Sequence, residues 1–357
     1  MSIEINWICH VVRRFGLVGG MEGYVWRLAH AQLRLGYRVS IITESIHGEP
    51  DEAIQLIVVP RSHKKKRWQQ MLHFRLMVAE YFRLNYEDPR PLLHSHERCS
   101  VHDVTTFHGP PMAPRRLESM FSRRVAAWQM MEKTEILGPP QSIVVPVSQF
   151  LGGQLLKKYP EASSRMVKPV YPGIEFHPRE SAEFDILNNS QSRRLLFVGV
   201  DWKRKGLTFA LDIFGLLRQK SDNWALDVVG PSSEKVRHTV ERRNAFFLGW
   251  QDAIDYSRYD ILVLPSRNEP FGMVVSEARA HGCRVICSDQ VGAVELHRLD
   301  DGVIELAINL PPSHWADAIE KLMEKNREKH LINRSWTSVA SEYHDSIYPL
   351  ARERAGD

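Results

Sequence analysis

Residues 261–287 read ILVLPSRNEPFGMVVSEARAHGCRVIC, and this stretch decides the fold. Ile261–Leu264 is a short, unbroken apolar run, the pattern of a strand buried on both faces of a parallel sheet. Pro265-Ser266 ends it, a polar loop carries Glu269, and a helix is predicted over Phe271–Ala280. Arg284–Cys287 is the next strand. Strand, helix, strand in this order is a βαβ unit, with parallel strands and a right-handed crossover.

The same rhythm continues outward. Leu195–Val198 predicts a strand, Lys205-Gly206 opens a helix through about Leu217, and Ala225–Val229 and Ala245–Leu248 are strands ending at Gly230 and Gly249. Nearer the N-terminus, Ile5–Val12 is a strand, followed by the glycine-rich turn Gly16-Leu17-Val18-Gly19-Gly20. A helix from about Glu22 to Leu35 follows, with Val25, Leu28, Ala29 and Leu33 at helical spacing and Gly36 as its C-terminal cap. Val39–Thr43 and Leu56–Val59 are further strands. The expected fold class is therefore α/β, with one doubly wound domain in each half. The chain's 357 residues suit two domains, and the polar, proline-containing stretch 171–191 suits the linker.

Composition narrows the function classes. With 43% apolar and 25% charged residues, the chain is neither collagen-like nor disordered nor a coiled coil. No apolar run approaches the roughly 18 residues of a membrane span, and the alternating start Ile3-Glu4-Ile5-Asn6 does not read as a signal peptide. Four cysteines make no disulfide framework and read as reduced packing residues of a cytoplasmic protein. The net charge of +4 is uneven: residues 1–178 hold 23 Lys/Arg against 16 Asp/Glu, and residues 179–357 hold 24 against 27. The first half is the candidate face for an anionic partner.

Chemistry concentrates in Pro265–Ala278. A helix N-terminus offers free N–H groups and a positive dipole end, which suit a diphosphate. Gly272 permits close approach of a ligand to the backbone. Glu269 and Glu277, one before the helix and one inside it, suit hydroxyl groups of a sugar and a ribose. This string resembles the Glu-x7-Glu signature of retaining GT-B glycosyltransferases, specifically glycosyltransferase family 4. Gly19-Gly20-Met21-Glu22, Phe197-Val198-Gly199 with Lys205-Gly206, Val147-Ser148, Tyr171-Pro172-Gly173, Phe247-Leu248-Gly249 and Gly292–Leu296 match it in order.

The resemblance implies two facing Rossmann-like domains with a cleft between them. They would be an acceptor-side domain over 1–178, with 337–357 crossing back to it, and a donor domain over 179–336. It implies transfer of a sugar from a nucleotide sugar, a UDP-sugar by preference, with net retention and with neither cofactor nor required metal. The acceptor would be a glycan or glycolipid of lipopolysaccharide or another surface polysaccharide. By the same resemblance, Glu277 would hold the ribose and Glu269 the donor sugar. Backbone N–H groups of Phe271, Gly272 and Met273 would hold sugar and diphosphate, and Lys205 would neutralise the leaving diphosphate. Gly19 and Gly20 would close on the same phosphates. Many members carry Arg directly after the Phe-x-Gly strand end. Here that position is Val200, so Arg204 or Lys203 would supply the second cation, a form resembling the lipopolysaccharide core glucosyltransferases. His108, at the end of the strand Val104-Thr105-Thr106-Phe107, would position the reacting sugar or acceptor rather than act as a base.

Two patterns remain. His94, His96, Cys99 and His102 cluster, but no pair has a metal-ligand spacing, so no metal is assigned. The segment 61–75 carries Lys64, Lys65, Lys66, Arg67 and Trp68 with no acid before Glu80, and Trp68, Leu72, Leu76 and Ala79 fall on one helical face. A second basic helix would carry Arg115, Arg116, Arg123 and Arg124 with Leu117, Phe121 and Trp128. Cations beside interfacial aromatics suit an anionic membrane surface, placing the chain peripherally on the inner face of the cell membrane. No nucleic-acid-binding module accompanies the charge. Two other readings fit the architecture: a sugar-nucleotide 2-epimerase, or a non-catalytic protein that binds nucleotide sugar or lipid.

Overall fold

The computed structural model describes residues 7–85, 90–113, 122–174, 193–230, 245–251, 253–328, 332 and 334–356. The chain divides into two compact units, 1–173 with 334–357, and 174–333. Arg115, Arg116, Leu117, Phe121 and residues 175–191 of the expected linker lie outside the described residues.

The first unit is built on six parallel strands: β1 (Trp7–Val11), β3 (Arg38–Thr43), β5 (Gln55–Val58), β6 (Leu92–Ser95), β7 (Val104–Phe107) and β8 (Ile143–Pro146). Their order is β5-β3-β1-β6-β7-β8. Chain order reverses between β1 and β6, so this sheet has the 3-2-1-4-5-6 order of the doubly wound fold. The expected glycine-rich turn is partly a strand. Arg14–Gly16 (β2) pairs in parallel with Ser45–His47 (β4). Helix α1 (Gly20–Arg34) buries Val25, Leu28 and Ala29 and ends at Gly36, where Tyr37 N–H reaches back to the Gln32 carbonyl at 3.1 Å.

The two faces of this sheet differ. Cys9, Val11, Ile42 and Leu93 point to an apolar layer filled by helices α2 (Arg67–Asn85) and α3 (Arg123–Leu137) through Met71, Phe74, Val78, Ala127 and Met131. Strand side chains alternate, so His10 of β1, His94 of β6 and Thr106 of β7 point to the other face. That face is covered by α1 and by the returning C-terminal segment, with helices Trp336–Glu342 and Tyr348–Ala355 joined by a π turn at Tyr343–Ile347.

The second unit repeats the order: β11-β10-β9-β12-β13-β14. These strands are β9 (Arg193–Val198), β10 (Trp224–Val229), β11 (Ala245–Gly249), β12 (Ile261–Leu264), β13 (Arg284–Ser288) and β14 (Val303–Leu306), all parallel. Helices Leu207–Lys220 and Pro312–Met323 pack Leu211, Phe214, Leu217, Trp315 and Ile319 against Phe197, Leu226 and Val263. All four residues of β12 are buried, as its apolar run requires at the centre of a parallel sheet.

Candidate active site

In open α/β sheets, ligands bind beyond the carboxyl ends of the strands where chain order reverses. In the second unit this place lies between β9 and β12. Their pairing is confined to Ile261↔Leu195 and Leu262↔Leu196, so the two strands part toward their carboxyl ends. Gly199 and Lys205 follow β9, and Pro265–Gly272 follows β12.

Three charged side chains converge there. The Arg204 guanidinium lies 3.0 Å and the Lys205 ammonium 3.1 Å from the same Oε2 of Glu269. Glu269 is buried. Burial works to raise its pKa, but Lys205 and then Arg204 overcome this and hold the carboxyl below its ordinary value. Backbone contacts fix the loop. Glu269 N–H donates to the Gln290 carbonyl at 2.8 Å, Gly292 N–H to the Glu269 carbonyl at 3.0 Å, and Ala293 N–H to the Phe271 carbonyl at 2.8 Å. Arg204 also donates to the Asn268 carbonyl at 2.5 Å and to Asp201 at 3.0 Å. Lys203 instead lies over the Trp202 ring, so Arg204 is the cation that accompanies Lys205.

Glycines make the arrangement possible. A Cβ on Gly199 would sit 2.1 Å from Lys205 Cδ, so the lysine stem runs across a bare backbone. Gly206, with φ of +80°, ends the short helix Trp202–Lys205 and starts the next at Leu207; a Cβ there would lie 2.2 Å from the Pro265 carbonyl oxygen. Gly272, with φ of +93°, caps the helix Met273–Ala280, which begins two residues later than the sequence predicts because the left-handed Gly272 cannot belong to a right-handed helix. Glu277 projects from that helix and accepts a hydrogen bond at 2.7 Å from the hydroxyl of buried Tyr256, which sets its direction. Glu277→Ala is expected to weaken binding of a nucleotide-sugar donor by about 10–100-fold, the loss of one or two charged hydrogen bonds, with little change in kcat. Titration calorimetry with the donor would check this, and unchanged affinity would remove Glu277 from the site.

In the first unit, Gly19 precedes α1 and its carbonyl accepts from Gly23 N–H at 2.8 Å. A Cβ on Gly19 would lie 2.4 Å from a carboxylate oxygen of Glu22, which is ion-paired to Arg14. A Cβ on Gly20 would meet nothing within 4 Å, so packing does not require that glycine. His108 follows β7 and its Nε2 lies 3.0 Å from His96 Nδ1. The sequence reading missed His10, Gln32, Tyr343 and Tyr348, which join His94 and His96 in one hydrogen-bonded group. The alternation His94-x-His96 and Thr106-x-His108, at the ends of two adjacent strands, was the available signal. Among the described residues, His10, His94 and His96 form a cluster with metal-ligating atom types, yet every ring nitrogen already has a hydrogen-bond partner. Cys99 lies in the apolar layer on the other face, with its thiol pushed up by burial.

Lys64, Lys65, Lys66 and Arg67 are exposed. The helix they lead into buries Met71, Phe74, Arg75 and Val78, while Leu76 on the expected membrane face is 63% exposed. Trp68 and Leu72 pack partly against the core. Lys66, Arg67, Trp68, Arg124 and Trp128 line one open depression of about 440 Å³.

Two doubly wound sheets, with a carboxylate and two cations beyond the switch point of the second, form a site suited to an anionic ligand. The profile of Glycosyltransferase Family 4 matches residues 18–176, and that of Glycosyl transferases group 1 matches residues 192–325. The chain is 25% identical to D-inositol 3-phosphate glycosyltransferase of Arthrobacter sp. (strain FB24), over 87% of this chain and 83% of that protein. It is 27% identical to an uncharacterized 41.2 kDa protein in the cps region of Klebsiella pneumoniae, over 41% of this chain and 42% of that one. The fold is similar to that of WaaG, a glycosyltransferase involved in lipopolysaccharide biosynthesis, with a TM-score of 0.77 and 19% identity over 98% of both chains. The chain belongs to the family 4 glycosyltransferases of GT-B fold.

Proposed function

We propose that this glycosyltransferase transfers a sugar from a UDP-sugar, with retention of anomeric configuration, to a glycan or glycolipid acceptor of a bacterial surface polysaccharide such as lipopolysaccharide. The observation that carries this reading is the convergence of Arg204 and Lys205 on buried Glu269 beyond β9 and β12. A departing diphosphate gains negative charge in the transition state, and cations held in place beforehand stabilise it without reorganisation. Glu269 pairs with both cations and would contact the sugar of a bound donor. Glu277 takes the ribose, and the N-terminus of helix Met273–Ala280 faces the diphosphate. Retention follows from attack on the face that the diphosphate leaves, with its departing oxygen taking the acceptor proton. His108 positions the reactants. The surface-polysaccharide setting is supported by the names of the Klebsiella relative and of WaaG.

A thermal-shift panel of nucleotide sugars would identify the donor, since a ligand that binds the native state raises its stability. Incubation of that donor with and without acceptor then tests the reaction. Transfer giving the donor's anomeric configuration supports the reading, and conversion of donor alone to a 2-epimer overturns it. Because protein cations and a helix terminus neutralise the diphosphate, activity is expected to survive EDTA. Loss on chelation, restored by Mg²⁺ or Mn²⁺, would show that these groups do not suffice.

The same proposal places the enzyme on the inner face of the cell membrane. Among the described residues, no helix is long and apolar enough to cross a membrane. Lys64, Lys65, Lys66 and Arg67 would each gain about 1 kcal/mol near an anionic surface before screening. Trp68 and Trp128 border the same depression. The protein is expected to sediment with anionic vesicles at low salt, and the variant with all four cations changed to Gln to stay in solution. Equal sedimentation with neutral vesicles would remove the membrane from the reading.

A further inference from the structure

The hydrogen bonds on the polar face of the first sheet form one continuous chain. His108 Nε2 is 3.0 Å from His96 Nδ1, His96 Nε2 is 3.0 Å from His10 Nδ1, and His10 Nε2 is 2.6 Å from Gln32 Oε1. From the other end of the same amide, Gln32 Nε2 donates to the Tyr348 hydroxyl at 2.6 Å. That hydroxyl is 3.0 Å from His94 Nδ1, and His94 Nε2 is 2.8 Å from Thr106 Oγ1. Thr106 Oγ1 continues to the Tyr343 hydroxyl at 2.6 Å, which lies 3.0 Å from the Tyr24 hydroxyl.

Burial lowers the pKa of His10 to about 4 and of His108 to about 3, and holds His94 and His96 well below the ordinary value. At neutral pH each ring is therefore uncharged, with one N–H and one lone pair. Such rings can only pass a hydrogen bond along in one direction. The amide of Gln32 is the one member whose two ends differ chemically, an acceptor toward His10 and a donor toward Tyr348. The acceptor end requires the proton of His10 on Nε2. His10 Nδ1 then accepts from His96 Nε2–H, and His96 Nδ1 accepts from His108 Nε2–H. On the other arm, the Tyr348 hydroxyl donates to His94 Nδ1, and His94 Nε2–H donates to Thr106.

We propose that Gln32, acting through His10 and His96, is a positioning residue that locks His108 as its Nε2–H tautomer and leaves the Nδ1 lone pair to accept a hydrogen bond, without proton transfer, from a hydroxyl of the sugar or acceptor. The assignment of His108 to the reaction rests on the proposed function; the locked tautomer does not. The Tyr24 ring, edge-on to His108 at 4.7 Å between centroids, holds the imidazole plane.

The test uses the full chain labelled with ¹⁵N-histidine, with two-bond ¹⁵N–¹H correlation at neutral pH and the His108 signals assigned by their loss in His108→Asn. In the wild-type protein, His108 is expected to show a pyridine-type Nδ1 and a pyrrole-type Nε2. Gln32→Met cuts the chain and should give mixed tautomers. With the donor found in the thermal-shift panel, kcat should fall two- to tenfold in Gln32→Met, in line with the lost fraction of competent tautomer, at unchanged KM. A pyrrole-type Nδ1 in the wild-type protein, or a His108 pattern unmoved by Gln32→Met, overturns the proposal. A locked His108 in a protein that transfers no sugar would overturn the proposed function and leave the chain of hydrogen bonds standing.

Discussion

Lys205→Ala is expected to lower the turnover of sugar transfer by about 10²–10³-fold, the cost of losing one pre-positioned charge at a developing anion. The side chain is 14% exposed, and its ammonium is held 3.1 Å from Glu269, so it is ordered before any donor arrives. Its contribution grows as the diphosphate departs, which places the loss in kcat more than in donor affinity. Arg204 stays on Glu269 in this variant and keeps that carboxylate paired, so the fold should be retained. Gly199→Ala offers an independent route to the same defect, because its Cβ would sit 2.1 Å from Lys205 Cδ and displace the stem. Single-turnover kinetics separate the chemical step from binding, and normal turnover in both variants would sink the assignment of Lys205.

Acidification from pH 7 to 5 is expected to destabilise the unit containing residues 7–173 well before the unit containing residues 193–328. Burial lowers the pKa values of His10 and His102 to about 4 and of His108 to about 3, and His94 and His96 are buried and lowered further by neighbouring rings. Each binds its proton near pH 6.5 when unfolded and only at lower pH when folded. Between those values the unfolded state holds the extra proton, so stability is full above pH 6.5 and falls as the pH drops. Glu135, raised to about 8 by burial, works in the opposite sense over the same window, as do Glu44 and Glu97. Five rings against one to three carboxyls leave a net of two to four protons, roughly 3–5 kcal/mol per pH unit. In the second unit, Glu269 and Asp300 have lowered pKa values, so their contribution is lost only below the ordinary carboxylate range. Hydrogen exchange at pH 7, 6 and 5 would read the two units separately. Equal protection of the first unit at pH 7 and 5 would contradict this account.

The parallel sheets and the Glu269–Glu277 string were legible because they rest on short-range periodicity. Ile261–Leu264, the following loop and the helix are contiguous in sequence, and their contacts are mostly local. The polar face of the first sheet was not legible, since His10, Gln32, His94, Thr106 and Tyr348 meet only once β1, β6 and β7 lie side by side and residues 334–357 return. Helix α2 shows the limit of pattern alone. Trp68, Leu72, Leu76 and Ala79 and the set Met71, Phe74 and Val78 both have helical spacing, and packing chose the second. That Arg204 rather than Lys203 pairs with Glu269 was likewise a tertiary matter, set by the fold around the two side chains.

The return of residues 334–357 to the first unit also imposes an order on biosynthesis. Tyr343 and Tyr348 complete the hydrogen bonds of Thr106, Gln32 and His94, yet they leave the ribosome about 170 residues after Gly173, where that unit's first segment ends. At about 5–20 residues per second, the nascent first sheet waits roughly ten to thirty seconds with its polar interior open, while the second unit is still being made. The N-terminal half must therefore survive as an unfinished intermediate until the helices Trp336–Glu342 and Tyr348–Ala355 emerge and close the first sheet.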